Sequence, residues 1–530
     1  MRFNLTSRSA ILFMLLFALF FKPGKAQTGI LLNTEEAMPS YTLYESVPWV
    51  YLVDNCGKLI NSWNTGSISF HPKLLPNGHL VYISNRFTVR ELDWNGVLVN
   101  EVSHDDLDLS IEYEVVLLPN QNYLCVARRD FSQQEFLDLG FDYGTRGTPN
   151  VTDGVVELDR ETGDIVWEWN IRDHVIQQRD STVGNYGILT EHPELLNLDG
   201  IGTFDWTWHE SFMINSMDYN PQLDQIAISV RKMSEIAIID HSTTTEEATG
   251  HTGGNSGKGG DILYRWGNPQ NYGRGTVDDR QLFFQHNPNW ITQGPYSGYL
   301  TVYDNGLNRP GVSTADRYSS VPIIETPVDD QGNYPLVEGE AYGPALPTVR
   351  YSDIETGTRF YSSYTSGAEV LPNGNIFITE GVDGRLLEIN PDGEVVWSYT
   401  VPFVSYIYRT EKYPLDYPAF EGRDLTPTGT APNTNSTYEC DLVSNTEELT
   451  SAASFSLRYF PAEQMVRLRN HAEHGLEWAL YNTQGQLVQQ GRSDFAQLEV
   501  DVAALAKGMY VFELRDTLSQ LRQAKKMIKL

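Results

Sequence analysis

The sequence predicts an all-β protein, in which a six-bladed β-propeller is followed by a small C-terminal β-sandwich. Two repeated patterns predict the propeller. In the first, two apolar runs flank a Pro-Asn turn, as at Pro76-Asn77, Pro119-Asn120 and Pro372-Asn373. In the second, a further hairpin turns on acidic residues and usually ends in tryptophan, as at residues 157–167. Two successive hairpins supply four strands, which is the content of one propeller blade.

Counting these paired hairpins gives six units along the chain. They cover residues 29–64, 70–102, 112–170, 209–267, 284–350 and 364–400. A stack of independent β-sandwiches is the alternative, but sandwiches do not require this two-hairpin repeat. The content of 43 Gly and 26 Pro agrees with either turn-dense all-β architecture.

The flanking segments differ from the repeat region in composition. Arg2 and Arg8 precede the apolar run 10–21, which is shorter than the ~20 residues of a membrane span. With the small residues Gly24 and Ala26 after it, this run predicts a signal peptide over 1–26 and no stable membrane span. The propeller is then predicted over 27–425, and a linker rich in Thr, Asn, Ser and Pro over 426–454. Period-two apolar stretches predict a separate β-sandwich over 455–530.

Charge and motif content exclude several function classes. The chain carries 38 basic and 69 acidic residues, a formal net charge of −31, which argues against nucleic acid as a partner. Lys258 lacks the following Ser or Thr of a phosphate loop, and His209-Glu210 lacks the second histidine of a zinc-protease helix. The sequence therefore predicts no cofactor and no metal site. With 3 Cys (Cys56, Cys125 and Cys440), at most one intramolecular disulfide can form.

The repeat also indicates which residues line the central channel. The innermost strand of each blade borders the channel, so residues five or six positions before each Pro turn are expected at its mouth. These positions are occupied by His71, Tyr113, Glu114 and Asn215 in three of the units, and His286 stands at the matching place in the fifth. The repeat therefore predicts that two imidazoles, a carboxylate, a phenol and an amide converge on one opening.

Residues 205–400 resemble the bacterial arylsulfate sulfotransferase family, whose members act without a nucleotide and fold as six-bladed propellers. The matching segments are Asn215-Ser216-Met217-Asp218-Tyr219-Asn220-Pro221, Tyr264-Arg265-Trp266-Gly267-Asn268-Pro269, Gln285-His286 and Tyr303-Asp304-Asn305-Gly306. The resemblance implies transfer of a sulfuryl group from an aryl sulfate to a phenol through a sulfated histidine.

The resemblance also implies roles for individual residues. His286 matches the histidine of the family's Gln-His pair, and Arg309 matches the arginine after Asp-Asn-Gly. The family places another histidine where this chain has Met213, and His209 is the nearest substitute. These three are the catalytic candidates, and His71, Tyr113, Glu114 and Asn215 are the substrate-binding candidates.

One departure from the family leaves two hypotheses open. The family's sulfated histidine follows the arginine in the chain, whereas no histidine lies between His286 and His471 here. The first hypothesis is an exported arylsulfotransferase. The alternative is a catalytically silent surface propeller that binds aryl or sugar ligands in its channel.

The C-terminal segment resembles the sorting domain of type IX secretion cargo. The resemblance rests on residues 481–488, 505–510 and the basic end 525–530. It implies export through the periplasm, a secreted or cell-surface location, and the type IX secretion machinery as a partner. A carbohydrate-binding sandwich is the alternative for this domain.

Overall fold

The computed structural model describes most of two regions of the chain. These are residues 27–440, except 68–69, 105, 107, 141–150, 201–211, 353–358 and 403–405, and residues 455–529, except 461–464, 471–473, 483–485, 507 and 519–521. The predicted signal peptide and His209 lie outside the described residues. By its internal contacts the chain divides into two compact units, Met1–Asp441 and Leu442–Leu530.

The described residues form strands almost throughout. The strands of the first half are β1 (Gly29–Asn33), β2 (Ser40–Ser46), β3 (Trp49–Asp54), β4 (Leu59–Asn64), β5 (Phe70–Leu74), β6 (Leu80–Asn85), β7 (Thr88–Leu92), β8 (Leu98–Ser103), β9 (Leu109–Leu117), β10 (Tyr123–Asp130), β11 (Val151–Leu158), β12 (Ile165–Asn170), β13 (Val175–Ile176), β14 (Leu196–Asn197), β15 (Ile214–Asn220), β16 (Gln225–Val230), β17 (Glu235–Asp240) and β18 (Tyr264–Trp266). They are followed by β19 (His286–Trp290), β20 (Leu300–Tyr303), β21 (Ser320–Ile324), β22 (Val349–Ser352), β23 (Gly367–Val370), β24 (Ile376–Glu380), β25 (Arg385–Ile389), β26 (Val395–Thr400), β27 (Glu411–Pro414), β28 (Phe455–Phe460), β29 (Met465–Asn470), β30 (Leu476–Asn482), β31 (Leu487–Ser493), β32 (Gln497–Asp501), β33 (Gly508–Asp516) and β34 (Arg522–Lys529). Two short helices, α1 (Gln133–Asp138) and α2 (Thr245–Ala248), interrupt them.

The strands of the first unit form six antiparallel blades. The strand orders are β27-β2-β3-β4 in the first blade, β5 to β8 in the second, β9 to β12 in the third, β15 to β18 in the fourth, β19 to β22 in the fifth, and β23 to β26 with β1 added outside in the sixth. Five blades contain four strands and the sixth contains five. Apart from β27 and β1, the strands of each blade follow one another in chain order, as in a propeller. The all-β prediction is confirmed.

Ring closure differs from the predicted units in one respect. The first unit was predicted to begin at residue 29, but β1 pairs with β26 as a fifth strand of the sixth blade. The first blade instead takes its innermost strand, β27, from the C-terminal end of the propeller region. Tyr41 of β2 pairs there with Tyr413 of β27. The N-terminal strand β1 thus completes the sixth blade and the late strand β27 completes the first, so the chain itself connects the first blade to the last.

Hydrophobic clusters fill every junction between neighbouring blades. In β6, Leu80 and Tyr82 belong to the cluster shared with the first blade, whereas Val81 and Ile83 belong to the cluster shared with the third. Successive strand residues point to opposite faces, so a blade buried on both faces needs an unbroken apolar run. The sixth and first blades share such a cluster too, with Trp397 and Val53 among its members.

Residues 426–440 lie against the propeller. Thr428 donates from its backbone to the carbonyl oxygen of Leu59, and Thr28 donates to Asn435. A disulfide joins Cys56 to Cys440, and Cys125 is a free, buried thiol. The first half of the segment predicted as a linker therefore packs along the first and sixth blades.

The second unit contains two sheets. One has the order β28-β29-β32 and the other β31-β30-β33-β34. Buried side chains from both sheets, including Leu468, Leu480 and Phe512, form one core. This is the predicted small β-sandwich. No helix in the described part of the chain combines the length and the apolarity needed to span a bilayer.

Candidate functional site

The innermost strands carry a bulge at the same point in four neighbouring blades. The pairing register shifts between Phe70 and Lys73 in β5, between Ile214 and Met217 in β15, and between His286 and Asn289 in β19. In β9 the shift leaves residues 113–114 unpaired with β10. A bulge redirects the side chains that it carries, and His71 and Tyr113 adopt positive φ angles there. The site residues predicted on these strands lie at or beside these bulges.

His71 and Glu114 belong to one buried ionic cluster, which we call the channel cluster. Its members are His71, Lys73, Glu114, Arg409 and Glu411. The Glu114 carboxylate lies 2.5 Å from Arg409 Nη2, 2.9 Å from Lys73 Nζ and 3.3 Å from His71 Nδ1. Glu411 lies 3.0 Å from His71 Nε2. Burial alone would raise the pKa of Glu114, but Arg409 and Lys73 hold it well below its usual range.

The cavity beside the channel cluster is small. It has a volume of about 30 Å³ and is lined by His71, Arg409, Glu369 and other residues of the innermost strands. Such a volume accommodates roughly two water molecules. Burial and the neighbouring Glu411 raise the pKa of Glu369 to about 8, so this carboxyl is protonated at neutral pH. The arrangement can order water and exchange a proton, but it has no room for an aryl ring.

His286 lies in a second buried group on the fifth blade. Its Nδ1 is 2.6 Å from Asn305 Oδ1, and an amide oxygen only accepts, so Nδ1 carries the proton. Burial, assisted by the positive charges of Arg231 and Arg409, lowers the pKa of His286 to about 3. At neutral pH the ring is therefore uncharged, with its lone pair on Nε2.

Tyr408 joins the two buried groups. Its hydroxyl donates to the backbone oxygen of Asn215, its ring stacks on Tyr113 at 5.5 Å, and its centroid is 6.5 Å from that of His286. Arg128 in turn donates to the Tyr113 hydroxyl over 2.5 Å. Tyr113, Asn215 and His286 thus meet around one tyrosine that sequence reasoning did not select.

Arg309 forms an ion pair with Asp304, the residue before Asn305. Its Nη2 is 2.6 Å from Asp304 Oδ2, and its guanidinium lies over Phe283 at 4.8 Å and Tyr318 at 4.4 Å. Asp304 precedes Asn305, the hydrogen-bond partner of His286. Arg309 and His286 are therefore held by two consecutive residues, Asp304 and Asn305, in the segment that follows β20.

The sequence contained a signal for two of the missed residues. Tyr408 and Arg409 stand six and five positions before Pro414, the offset that separates Phe70 and His71 from Pro76. They were missed because β27 lies beyond the last counted unit. Arg231 and Asn305 follow the ends of β16 and β20, and no repeated spacing marks them.

Comparisons with known proteins identify a family and a sorting domain. The sequence profile of the arylsulfotransferase (ASST) family matches residues 40–324, and that of the secretion system C-terminal sorting domain matches residues 460–529. The sorting domain indicates export to the cell surface or the medium by the type IX secretion machinery. None of the curated proteins matches the chain.

Several solved structures are distantly similar, and two of them serve as examples. A Bacteroides caccae protein of unknown function has 9% identity and a TM-score of 0.38, with 71% of this chain and 99% of that chain covered. A catalytically inactive virginiamycin B lyase from Staphylococcus aureus, solved with quinupristin, has 9% identity and a TM-score of 0.30, with 71% and 89% covered.

Proposed function

The chain belongs to the arylsulfotransferase family, and on that premise we propose that it transfers a sulfuryl group from an aryl sulfate ester to a phenolic acceptor without a nucleotide. The observation that supports this most is the state of His286. An uncharged imidazole, with its tautomer set by Asn305 and two arginines acting on it, suits attack on an electrophilic sulfur.

The proposed reaction has two halves. In the first, His286 Nε2 forms a bond to sulfur while the sulfur–oxygen bond to the aryl group breaks, and the phenolate leaves with the electron pair. In the second, the acceptor phenol attacks sulfur, the nitrogen–sulfur bond breaks, and the phenolic proton passes to the departing phenolate or to water. The net change converts one aryl sulfate and one phenol into another such pair.

Cations near His286 would stabilise the sulfuryl oxygens. Arg231 and Arg409 both act electrostatically on His286, and Arg309 is held one residue from its partner Asn305. Preformed positive charge in a site that excludes water is typically the largest contribution to such catalysis. We assign positioning roles to four further residues. His71 and Glu114 contact Arg409 and would hold its guanidinium in place. Tyr113 and Asn215 contact Tyr408 and would hold its ring in place.

Two tyrosines next to this group are suited to bind the aryl ring. Tyr364 and Tyr406 are 42% and 40% exposed, and their rings meet edge to face at 6.1 Å. Tyr406 lies two positions before Tyr408, and Tyr364 follows Ser363, whose backbone oxygen Arg231 contacts. Aromatic side chains that are half exposed favour stacking with a phenyl group.

The test is a transfer assay without nucleotide. Purified protein is incubated with 4-nitrophenyl sulfate and phenol, nitrophenolate release is followed by absorbance, and phenyl sulfate is identified by mass spectrometry. We expect release that depends on phenol and produces one phenyl sulfate per nitrophenolate. Release equal to the protein-free rate would contradict the proposal.

A silent ligand-binding propeller is the second candidate. Two observations favour it. In the sixth blade, Ser366 and Gly367 occupy the positions six and five residues before the Pro turn, and no histidine follows Arg309 before His471. On this alternative, 4-nitrophenyl sulfate binds saturably in calorimetry while the transfer assay gives no product. Binding with acceptor-dependent turnover eliminates it.

The low pKa of His286 predicts an unusual pH profile. A histidine whose pKa is lowered to about 3 is neutral above that value and loses the neutral form only as the pH falls through it. We therefore expect kcat/KM for 4-nitrophenyl sulfate to show no decline near pH 6.5, the ordinary histidine range, and to decline only toward about pH 3. An acid limb between pH 6 and 7 that disappears in His286→Asn would refute this assignment.

A further inference from the structure

Two histidines and one aspartate converge away from the channel, at the outer side of the third and fourth blades. His174 ends the turn after β12, His251 lies in the glycine-rich loop after α2, and Asp261 lies at the end of that loop, before β18. Asp261 Oδ1 is 2.9 Å from His174 Nδ1 and 2.7 Å from His251 Nδ1. The three atoms lie within 4.8 Å of one another.

Hydrogen bonding fixes the direction of the His174 lone pair. Its Nε2 is 2.8 Å from the backbone oxygen of Ala248, and a carbonyl oxygen only accepts, so Nε2 carries a proton. In the neutral ring, Nδ1 then presents a lone pair to the Asp261 carboxylate. Two acceptors at this distance repel unless a cation stands between them, either a proton or a metal ion.

The surroundings of His174 hold its ring in place. The side chain is fully buried and stacks on Trp169 at 5.5 Å with an interplanar angle of 2°. Gly260 approaches so closely that an added Cβ would lie 2.5 Å from His174 Nε2. A metal-binding histidine usually donates its second ring N–H to a carbonyl or carboxylate, and the bond from His174 to Ala248 supplies this.

We propose that His174 Nδ1, His251 Nδ1 and Asp261 Oδ1 form a site for a divalent transition-metal ion, with Zn²⁺ the best match. Nitrogen and carboxylate oxygen bind Zn²⁺ at ~2.0–2.2 Å, which separates ligand atoms in a tetrahedron by roughly 3.3 Å. The two nitrogen–oxygen separations of 2.9 and 2.7 Å would have to widen by roughly 0.4–0.6 Å to reach this value. The His251 side chain is 61% exposed, so the fourth position faces solvent and takes water.

A metal ion at this site would anchor the loop between β17 and β18. That loop contains α2 and the glycine-rich segment 250–260, in which His251 is the second residue and after which Asp261 follows directly. His174 belongs to the third blade, so one ion would fasten the loop of the fourth blade to its neighbour. The sequence offered no signal for this, because the three ligands are spread between positions 174 and 261 without a metal-motif spacing.

The experiment is a metal titration of the full chain after treatment with a chelator. Zn²⁺ binding is measured by calorimetry, and Co²⁺ binding by the visible absorption of a four-coordinate cobalt ion. We expect one ion per chain and a melting temperature that rises with Zn²⁺. His251→Ala removes an exposed ligand and leaves the fold intact. It should weaken binding at least ~100-fold, because losing even an outer-shell partner costs ~10–100-fold.

His192 provides the matched control. Its Nδ1 lies 2.9 Å from Glu194 Oε1, which resembles the contacts of His174 and His251 with Asp261. Among the residues that the structure describes, no third metal-binding side chain joins this pair, so His192→Ala should leave binding unchanged. Asp261→Asn should weaken binding as His251→Ala does. Wild-type binding no tighter than millimolar, or tight binding that survives His251→Ala, would overturn the proposal and leave an imidazolium–carboxylate pair as the explanation of the geometry.

Discussion

Replacing His286 by alanine is expected to reduce sulfuryl transfer at least ~1000-fold, because it removes the proposed nucleophile, and loss of a catalytic nucleophile can cost up to ~10⁶-fold in turnover. The imidazole is the buried, neutral group whose tautomer Asn305 fixes, and it would form the bond to sulfur. The measurement is kcat/KM for 4-nitrophenyl sulfate with phenol as the acceptor. Binding of the donor, measured by calorimetry, should change far less than turnover.

The control distinguishes loss of chemistry from loss of structure. His79 is also a partly buried histidine, with Nδ1 3.1 Å from Glu91, but it lies in the turn between β5 and β6. His79→Ala should therefore retain transfer. Arg309→Lys is expected to reduce transfer about 100- to 1000-fold, the usual cost of removing one donor that stabilises the transition state, because lysine cannot reproduce the planar fork of arginine. Near-wild-type rates in both His286→Ala and Arg309→Lys would place the chemistry elsewhere.

The fold could be predicted well because its signals are local. The turn at Pro76-Asn77 and the unbroken apolar run 80–83 depend only on neighbouring residues and on burial of both blade faces. The closure of the ring could not be predicted in the same way. Pairing β2 with β27 joins residues more than 350 positions apart, and nothing in either strand specifies the other.

Only those residues of the candidate site that stand at a fixed offset from a repeated Pro turn could be predicted from the sequence. The offset from each Pro turn selected His71, Tyr113, Glu114 and Asn215, which the structure places at or beside the bulges of the innermost strands. The same offset reveals Arg409 once Pro414 is counted as a further turn. Arg231 acts on His286 from the neighbouring fourth blade, a contact that arises only when the blades pack together. Asn305 belongs to the same blade as His286, but no repeated spacing marks its position after β20.

A buried ion pair joins the sixth blade to the first. Lys412 in β27 and Glu388 in β25 form a salt bridge, and both side chains have no exposed surface. Glu388 also accepts hydrogen bonds from the backbone of Met38 and from Asn375, each over 2.6 Å. The Lys412 ammonium lies 4.3 Å from the centre of the Trp397 ring. Burial lowers the pKa of Lys412, and the negative charge of Glu388 acts in the opposite direction, so that it favours the charged ammonium.

We expect Glu388→Gln to reduce the free energy of unfolding by about 3–5 kcal/mol, because it leaves the buried Lys412 ammonium without a counter-charge. Glutamine has the shape of glutamate, and its amide oxygen can still accept from Met38 and Asn375, so the loss reports charge and not a cavity. The measurement is urea unfolding of the full chain followed by tryptophan fluorescence, which Trp397 at this junction makes sensitive to the ring.

Two further variants decide whether the pair itself is responsible. Lys412→Met combined with Glu388→Gln removes both charges and should recover most of the lost stability, since a buried ion pair is often replaceable by neutral side chains of similar volume. Glu101→Gln breaks the exposed pair with Arg90, whose side chains are 36% and 42% exposed, and should cost at most about 1 kcal/mol. If Glu388→Gln costs no more than Glu101→Gln, the closure of the ring depends on β-strand pairing and hydrophobic packing, and the buried charges are incidental to it.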